Sequence, residues 1–142
     1  MSDQQLTRLL LAGVAIGVLA AAAPASIITA GDVTSSYSGP GPWTISGEYN
    51  VGNTGVGSVT VNGNSVVTSD GPLQLGKNAS GNGTITLNDG DWTANHATCV
   101  GLHGTGKIEV LPSSRLRTNQ IAYVGMTGGA VGMVDLNGGR WD

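Results

Sequence analysis

A period constrains this chain more than any other feature of its sequence. An apolar residue followed by glycine recurs at Val51-Gly52, Leu75-Gly76, Val100-Gly101 and Val124-Gly125, at steps of 24, 25 and 24 residues. Nine residues before each glycine stands a large apolar residue, Trp43, Val67, Trp92 and Leu116, and Trp141 falls 25 residues after Leu116. A third series consists of alternating apolar pairs, Val59/Val61, Ile85/Leu87, Ile108/Val110 and Val134/Leu136, each beginning two residues after a glycine. The loop from the first glycine of each repeat to the second is 5, 7, 5 and 7 residues long, so the higher unit is a pair of repeats. Residues 43–91 and 92–140 accordingly align over 49 positions without a gap and share 13 identities, among them Trp43/Trp92, Ser65/Ser114 and Asn88/Asn137. This is an internal duplication, and periods of this length signal a solenoid.

Each repeat holds three short segments of period-2 alternation separated by Gly, Asn, Asp and Ser. In the first they cover about Tyr49–Val51, Ser58–Val61 and Val66–Ser69. None is long enough for a helix, and a repeat of this size cannot bury its apolar face alone. Stacking one coil on the next, about 4.8 Å along the axis, solves both problems, because each strand then pairs in parallel with its equivalent. The expected fold is all-β: a parallel β-helix, or β-solenoid, of about four coils with three short strands per coil and 24–25 residues per coil. Inward columns are expected at Val59, Ile85, Ile108 and Val134 and at Val61, Leu87, Val110 and Leu136. The recurring glycines mark corners that need a positive φ or leave no room for a Cβ. Asn62, Asn88 and Asn137 each follow the second column and suit a stacked turn, a ladder that Leu111-Pro112 interrupts.

Ahead of the repeats, Arg8 precedes an apolar run from Leu9 to Ala23, and Ala23-Pro24-Ala25 has the small-x-small form of a signal-peptidase site. Residues 1–25 therefore read as a signal peptide, residues 26–42 as an N-terminal lead-in or cap, and residues 43–142 as the solenoid. A retained membrane anchor is the rival reading of the run; with the signal cleaved, no membrane contact is expected. A net charge of −3 gives no electrostatic case for nucleic acid. The one cysteine, Cys99, has no partner for a disulfide and no metal-ligand spacing, and reads as a small apolar residue inside the coil.

The segment Val51-Gly-Asn-Thr-Gly-Val-Gly-Ser-Val-Thr-Val61, echoed at Val100–Val110, resembles the repeat units of large bacterial autotransporter-like surface proteins. The resemblance covers about residues 47–142. It implies a right-handed parallel β-helix passenger at the cell surface, often adhesive, and carries no catalytic residues. Residues 1–142 contain no stretch that reads as the C-terminal translocator barrel or the sorting tail of that family.

Several charged residues qualify for chemistry by type. Catalysis on a β-helix needs carboxylates, or carboxylates with Arg or Lys, converging on one face. The acids are Asp70, Asp89, Asp91, Glu109 and Asp135, and the cations are Lys77, Lys107, Arg115, Arg117 and Arg140. Glu109 and Asp135 occupy matching outward positions where earlier coils hold Thr60 and Thr86, and they read as a solvated face. Asp89-Gly-Asp91 lacks the register of a calcium loop. His96 and His103 have no ligand neighbours at metal spacing. Arg115 and Arg117 flank Leu116 and project outward, where they either bind an acidic sugar or solubilise an exposed sheet. Asn78-Ala-Ser80 and Asn82-Gly-Thr84 match the glycosylation sequon, relevant only in a eukaryotic secretory host. Trp43, Trp92 and Trp141 lie on one side of the rod; Val67 and Leu116 in the same column favour the core over an outward stacking platform for sugars.

No enzyme, cofactor or metal is expected from these residues. The expected function is an extracellular or cell-surface structural or adhesive segment, with a carbohydrate-binding or polysaccharide-degrading β-helix as the alternative. The repeat runs up to Trp141-Asp142. Self-association through coil ends, as aggregates or filaments, or continuation into further repeats of a longer chain, is expected on that account. A surface polysaccharide is the other candidate partner.

Overall fold

The structure, a computed structural model, describes residues 24–142. The expected signal peptide lies outside the described residues, apart from Pro24 and Ala25. A lead-in of two strands, β1 (Ser26–Gly31) and β2 (Ser38–Gly39), precedes the repeats. The first coil then runs through β3 (Trp43–Ile45), β4 (Tyr49–Val51) and β5 (Val56–Asn62). The second comprises β6 (Val66–Ser69), β7 (Leu73–Leu75) and β8 (Asn82–Asn88). The third comprises β9 (Asp91–Ala94), β10 (Thr98–Val100) and β11 (Thr105–Val110). The fourth comprises β12 (Arg115–Thr118), β13 (Ala122–Val124) and β14 (Val131–Leu136), and β15 (Arg140–Trp141) begins a further turn.

Equivalent strands pair in parallel and build three sheets along the rod. One has the order β14-β11-β8-β5-β1-β2, the second β13-β10-β7-β4 and the third β15-β12-β9-β6-β3. The chain is thus an all-β parallel solenoid of about four coils. Both expected columns form in register: Val59 pairs with Ile85, Ile85 with Ile108 and Ile108 with Val134, and Val61, Leu87, Val110 and Leu136 run alongside. With Tyr49, Leu73, Leu75, Val51 and Val100 from the second sheet, the first three residues of each column make one continuous core; Val134 packs partly buried against it and Leu136 stands exposed. Each fully buried aliphatic side chain contributes about 1.5–3 kcal/mol.

Two glycine columns hold the coil together for different reasons. Gly52, Gly76, Gly101 and Gly125 follow the second-sheet strands with φ between +61° and +76°, a left-handed corner costly for residues with a Cβ. Gly57, Gly83, Gly106 and Gly132 instead sit where a neighbouring backbone approaches closely: a Cβ on Gly83 would overlap the Val51 carbonyl.

Polar ladders line the turns. Asn88 Nδ2 donates to Asn62 Oδ1 at 3.1 Å, and Asn62 Nδ2 donates to Ser26 Oγ at 3.3 Å. A second ladder, not anticipated from the sequence, follows the third sheet. Asn119 Nδ2 donates to Asn95 Oδ1 at 2.7 Å, and Asn95 Nδ2 donates to Asp70 Oδ1 at 2.8 Å.

The lead-in closes the first coil. Strand β1 lies antiparallel on β5, with Ile27 opposite Val61, and Ile27 is wholly buried. Asp32 reaches the corner loop of the first coil, where its carboxylate accepts from the Thr54 and Gly55 amides at 2.6 and 2.7 Å. These bonds hold the Asp32 pKa below its ordinary value, Gly55 contributing most. The next residues cover β4: Val33 bridges Val51, and Thr34 exchanges hydrogen bonds with Asn50. Tyr37 stacks on Trp43 with ring centroids 4.8 Å apart.

Candidate functional site at a corner of the third sheet

The residues expected to form a ligand face lie on β12, whose sequence Arg-Leu-Arg-Thr alternates outside and inside. Leu116 is buried, Arg115 half-buried and Arg117 exposed. The turn before it, Leu111-Pro112-Ser113-Ser114, carries Ser113 in the left-handed region at φ 65°. One coil further, Arg140 pairs with Arg115 and Trp141 with Leu116, while Asp91 flanks Arg115 from the coil before. A charged column therefore runs Asp91, Arg115, Arg140 up one edge of the rod.

Asp142 closes this corner. Its carboxylate lies 3.3 Å from Arg115 Nε and also accepts from Arg140 Nε. The Arg140 side chain is 68 % exposed and that of Arg115 44 %, so water screens both pairs and each is worth under about 1 kcal/mol. Beside them is a cleft of about 350 Å³ lined by Asp91, Ser113, Ser114, Arg115, Gly139 and Arg140. Two arginines on paired strands, whose backbones lie about 4.8 Å apart, suit an oxyanion or a sugar carboxylate. Here Asp142 already occupies both, and Asp91 cancels further charge. The corner thus offers directional hydrogen bonds rather than a strong positive field.

Of the two expected arginines, Arg115 belongs to this corner, whereas Arg117 makes no ion pair among the described residues and stands beside Thr93. Sequence reasoning placed Arg140 only among generic cations and missed Asp142. The signal was present, since Arg140 follows Arg115 by 25 residues, the step that separates Trp141 from Leu116.

The other candidate groups are dispersed. Glu109 and Asp135 are neighbours on consecutive coils, as their register implied, and Glu109 pairs with Lys107 of its own strand at 3.5 Å. Asp70 is tied into the second asparagine ladder, and Lys77 bonds Glu48 at 2.5 Å, which lowers the Glu48 pKa. Asp89 sits at a turn with φ 58°. His103 Nδ1 lies 3.1 Å from Thr127 Oγ1, and His96 is exposed. Among the described residues, no group of three His, Cys, Asp or Glu side chains could hold a metal ion.

Cys99 corrects one expectation. It is buried but lies outside the core cluster, between Gln74 and Tyr123 on the outer side of the second sheet, with its Sγ 3.9 Å from Met126 Sδ. Alternation gives the reason, because Thr98 and Val100 on either side continue the inward columns of Leu73 and Leu75. Burial raises the thiol pKa, which keeps it a poor nucleophile.

The tryptophan column points inward. Trp43, Val67, Trp92, Leu116 and Trp141 pair in register along the third sheet. Trp92 is wholly buried and donates from Nε1 to Ser69 Oγ at 3.1 Å, and Trp43 and Trp141 pack partly buried against the same core. The stacking platform for sugars is therefore not formed by these rings. Comparison with family models, with curated proteins and with solved structures finds no match to this chain.

Proposed function

We propose that the chain is a structural segment of the cell exterior, a stiff spacer or adhesive rod of autotransporter-like type. The observation that supports this most is the continuity of its ladders. Backbone pairing and apolar columns pass from coil to coil in one register, and asparagine ladders reinforce parts of two faces, an arrangement whose direct product is rigidity along an axis. Most acids and bases suited to hydrolysis are spread over different faces, and where they do meet, at Asp91, Arg115, Arg140 and Asp142, the Asp142 carboxylate is already paired with both arginines, which counts against the polysaccharide-degrading alternative. Export through residues 1–25 and a position at the cell surface complete the reading.

The test is surface labelling of intact cells producing the chain, combined with the intact mass of the native product. Antibody access without permeabilisation and a mass beginning at Ser26 support the proposal. A product retained inside the cell at full mass overturns it.

Carbohydrate binding without cleavage is a second reading, carried by the Arg115–Arg140 cleft. Trp141 lies next to Arg140 and reports on this corner by its fluorescence. A saturable shift with an acidic polysaccharide, lost in Arg115→Ala with Arg140→Ala, favours binding; an unchanged spectrum favours the passive rod.

A further inference from the structure

A carboxylate already sits in the cleft at the third-sheet corner and shows what shape it accepts. The lining comes from the same place in three successive turns, Asp91, then Ser113 with Arg115, then Gly139 with Arg140, so the cleft lies along the flank of the rod. Asp142 reaches it from the strand path of Arg140. Residues two apart in an extended chain face the same way, and Trp141 between them packs against the core. The two oxygens of the Asp142 carboxylate are divided: Oδ1 accepts from Arg140 Nε, and Oδ2 lies 3.3 Å from Arg115 Nε on the turn before. The Asp142 side chain is 24 % exposed, less than either arginine that holds it. A planar group with two oxygens and one negative charge therefore fits between the arginines and sits deeper than they do.

We propose, building on the carbohydrate-binding reading of this corner, that Asp142 is an internal substitute for the ligand. The cleft takes a uronic acid unit of a polysaccharide, whose carboxylate replaces that of Asp142. Three features select such a ligand.

Charge is the first. Two arginines and two aspartates make the corner neutral while Asp142 is in place. When the Asp142 side chain turns out to water, the arginines hold one charge in excess over Asp91. One incoming carboxylate restores the balance.

Hydrogen bonding is the second. Asp91 supplies acceptor oxygens, and Ser113 a hydroxyl that both donates and accepts. A bare carboxylate uses neither group. The ring hydroxyls of a sugar acid donate to the first and pair with the second.

Ease of exchange is the third. Water screens the ion pairs of the clasp, and the backbone of Asp142 is fixed independently of them. Its N–H donates to the Leu116 carbonyl at 2.9 Å, and its own carbonyl accepts from the Thr118 N–H at 3.0 Å. The carboxylate thus leaves by side-chain rotation alone, with the strand undisturbed. A group that must first be displaced lowers the apparent affinity by the fraction of time the site stands open. Removing the Asp142 charge therefore strengthens binding, the reverse of what deleting a ligand-holding residue does.

The test is titration calorimetry of the full chain with trigalacturonic acid, with its methyl ester and acetate as comparison probes. The expected result is saturable one-to-one binding in the parent, and binding about three- to tenfold tighter in Asp142→Asn and Asp142→Ala. Glu48→Gln removes the same charge from the first coil and should leave the affinity unchanged. The ester, which lacks the carboxylates, and acetate, which lacks the hydroxyls, should both bind much more weakly. Binding that is unchanged or weakened in both Asp142 variants overturns the substitute and leaves carbohydrate binding standing. Equal tightening in Glu48→Gln overturns it too, because general charge is then the cause. An ester or acetate that binds as tightly as the acid overturns the uronic acid assignment. No binding by the parent or by either Asp142 variant overturns this inference together with the carbohydrate reading.

Discussion

The two ends of the rod are built from the same repeat and differ in how they finish. At the first coil, Val61 is completely buried because β1 lies across it and Ile27 fills the core beyond. At the fourth coil, Leu136 stands in the same column with the same backbone geometry and is 47 % exposed. The comparison teaches that burial in a solenoid is conferred by the next layer rather than by a residue's own place in its repeat. An apolar column is a promise of a core, kept only where something lies on both sides.

Substitutions can break or sharpen this contrast. The largest effect is expected at Trp92, enclosed between coils and bonded to Ser69. Trp92→Ala should cost about 3–5 kcal/mol in chemical denaturation of dilute protein, against about 1–2 kcal/mol for Trp141→Ala in the same column. Equal losses would show that the last turn is as well packed as the middle.

Next is the cap itself. Ile27→Ala should destabilise by about 2–4 kcal/mol, whereas Leu136→Ala should cost about 1 kcal/mol or less. If Ile27→Ala is as mild as Leu136→Ala, β1 does not close the core.

Glycines give a finer comparison. Gly83→Ala drives a Cβ into the Val51 carbonyl and should cost about 1–3 kcal/mol as overpacking. At Gly128, in the loop before β14, an added Cβ meets nothing within 4 Å, and the alanine variant should be near neutral by thermal melting.

The smallest effect concerns acid. The cap binds Asp32 as a carboxylate, so its contribution is complete above the ordinary value of 3.8 and fades as the pH falls through the lowered one. Asp32→Asn should lose that acid sensitivity. The readout is exchange of the Thr54 and Gly55 amides, which should quicken at low pH in the parent and vary little beyond intrinsic exchange in the variant.

Most of the solenoid was legible because its order is one-dimensional. Spacing alone located the inward columns, the left-handed corner at Gly52 and its equivalents, the inward tryptophans and the neighbouring Glu109 and Asp135. Features that arise once had no period to betray them. Ser26–Gly31 alternates like any strand, and nothing in it states that its partner is β5 or that the pairing runs antiparallel. Asp32 finds its amides 22 and 23 residues away, a contact made by the path of the lead-in. The Asp70–Asn95–Asn119 ladder was available, at steps of 25 and 24 residues, but polar residues between apolar columns read as turn filler until they are seen to bond. Cys99 reads as a core residue by its hydrophobic character, yet its parity between Thr98 and Val100 turns it to the outer side of the sheet. At the candidate site, the 25-residue step from Arg115 to Arg140 carries their order along one edge, yet by type Arg140 and Asp91 read only as generic charged residues, and the clasp formed by Asp142 depends on side-chain reach.

The constant coil length has a mechanical consequence. Drawn from its C-terminal end, the chain meets the load on one turn at a time, because each turn is held chiefly by the one beneath it. Releasing a turn of 24–25 residues frees roughly 80 Å of thread. Force applied along the rod should therefore yield a staircase of nearly equal steps rather than a single rupture. A tether of this kind would lengthen under tension while the unpeeled remainder, and whatever it carries, stays folded.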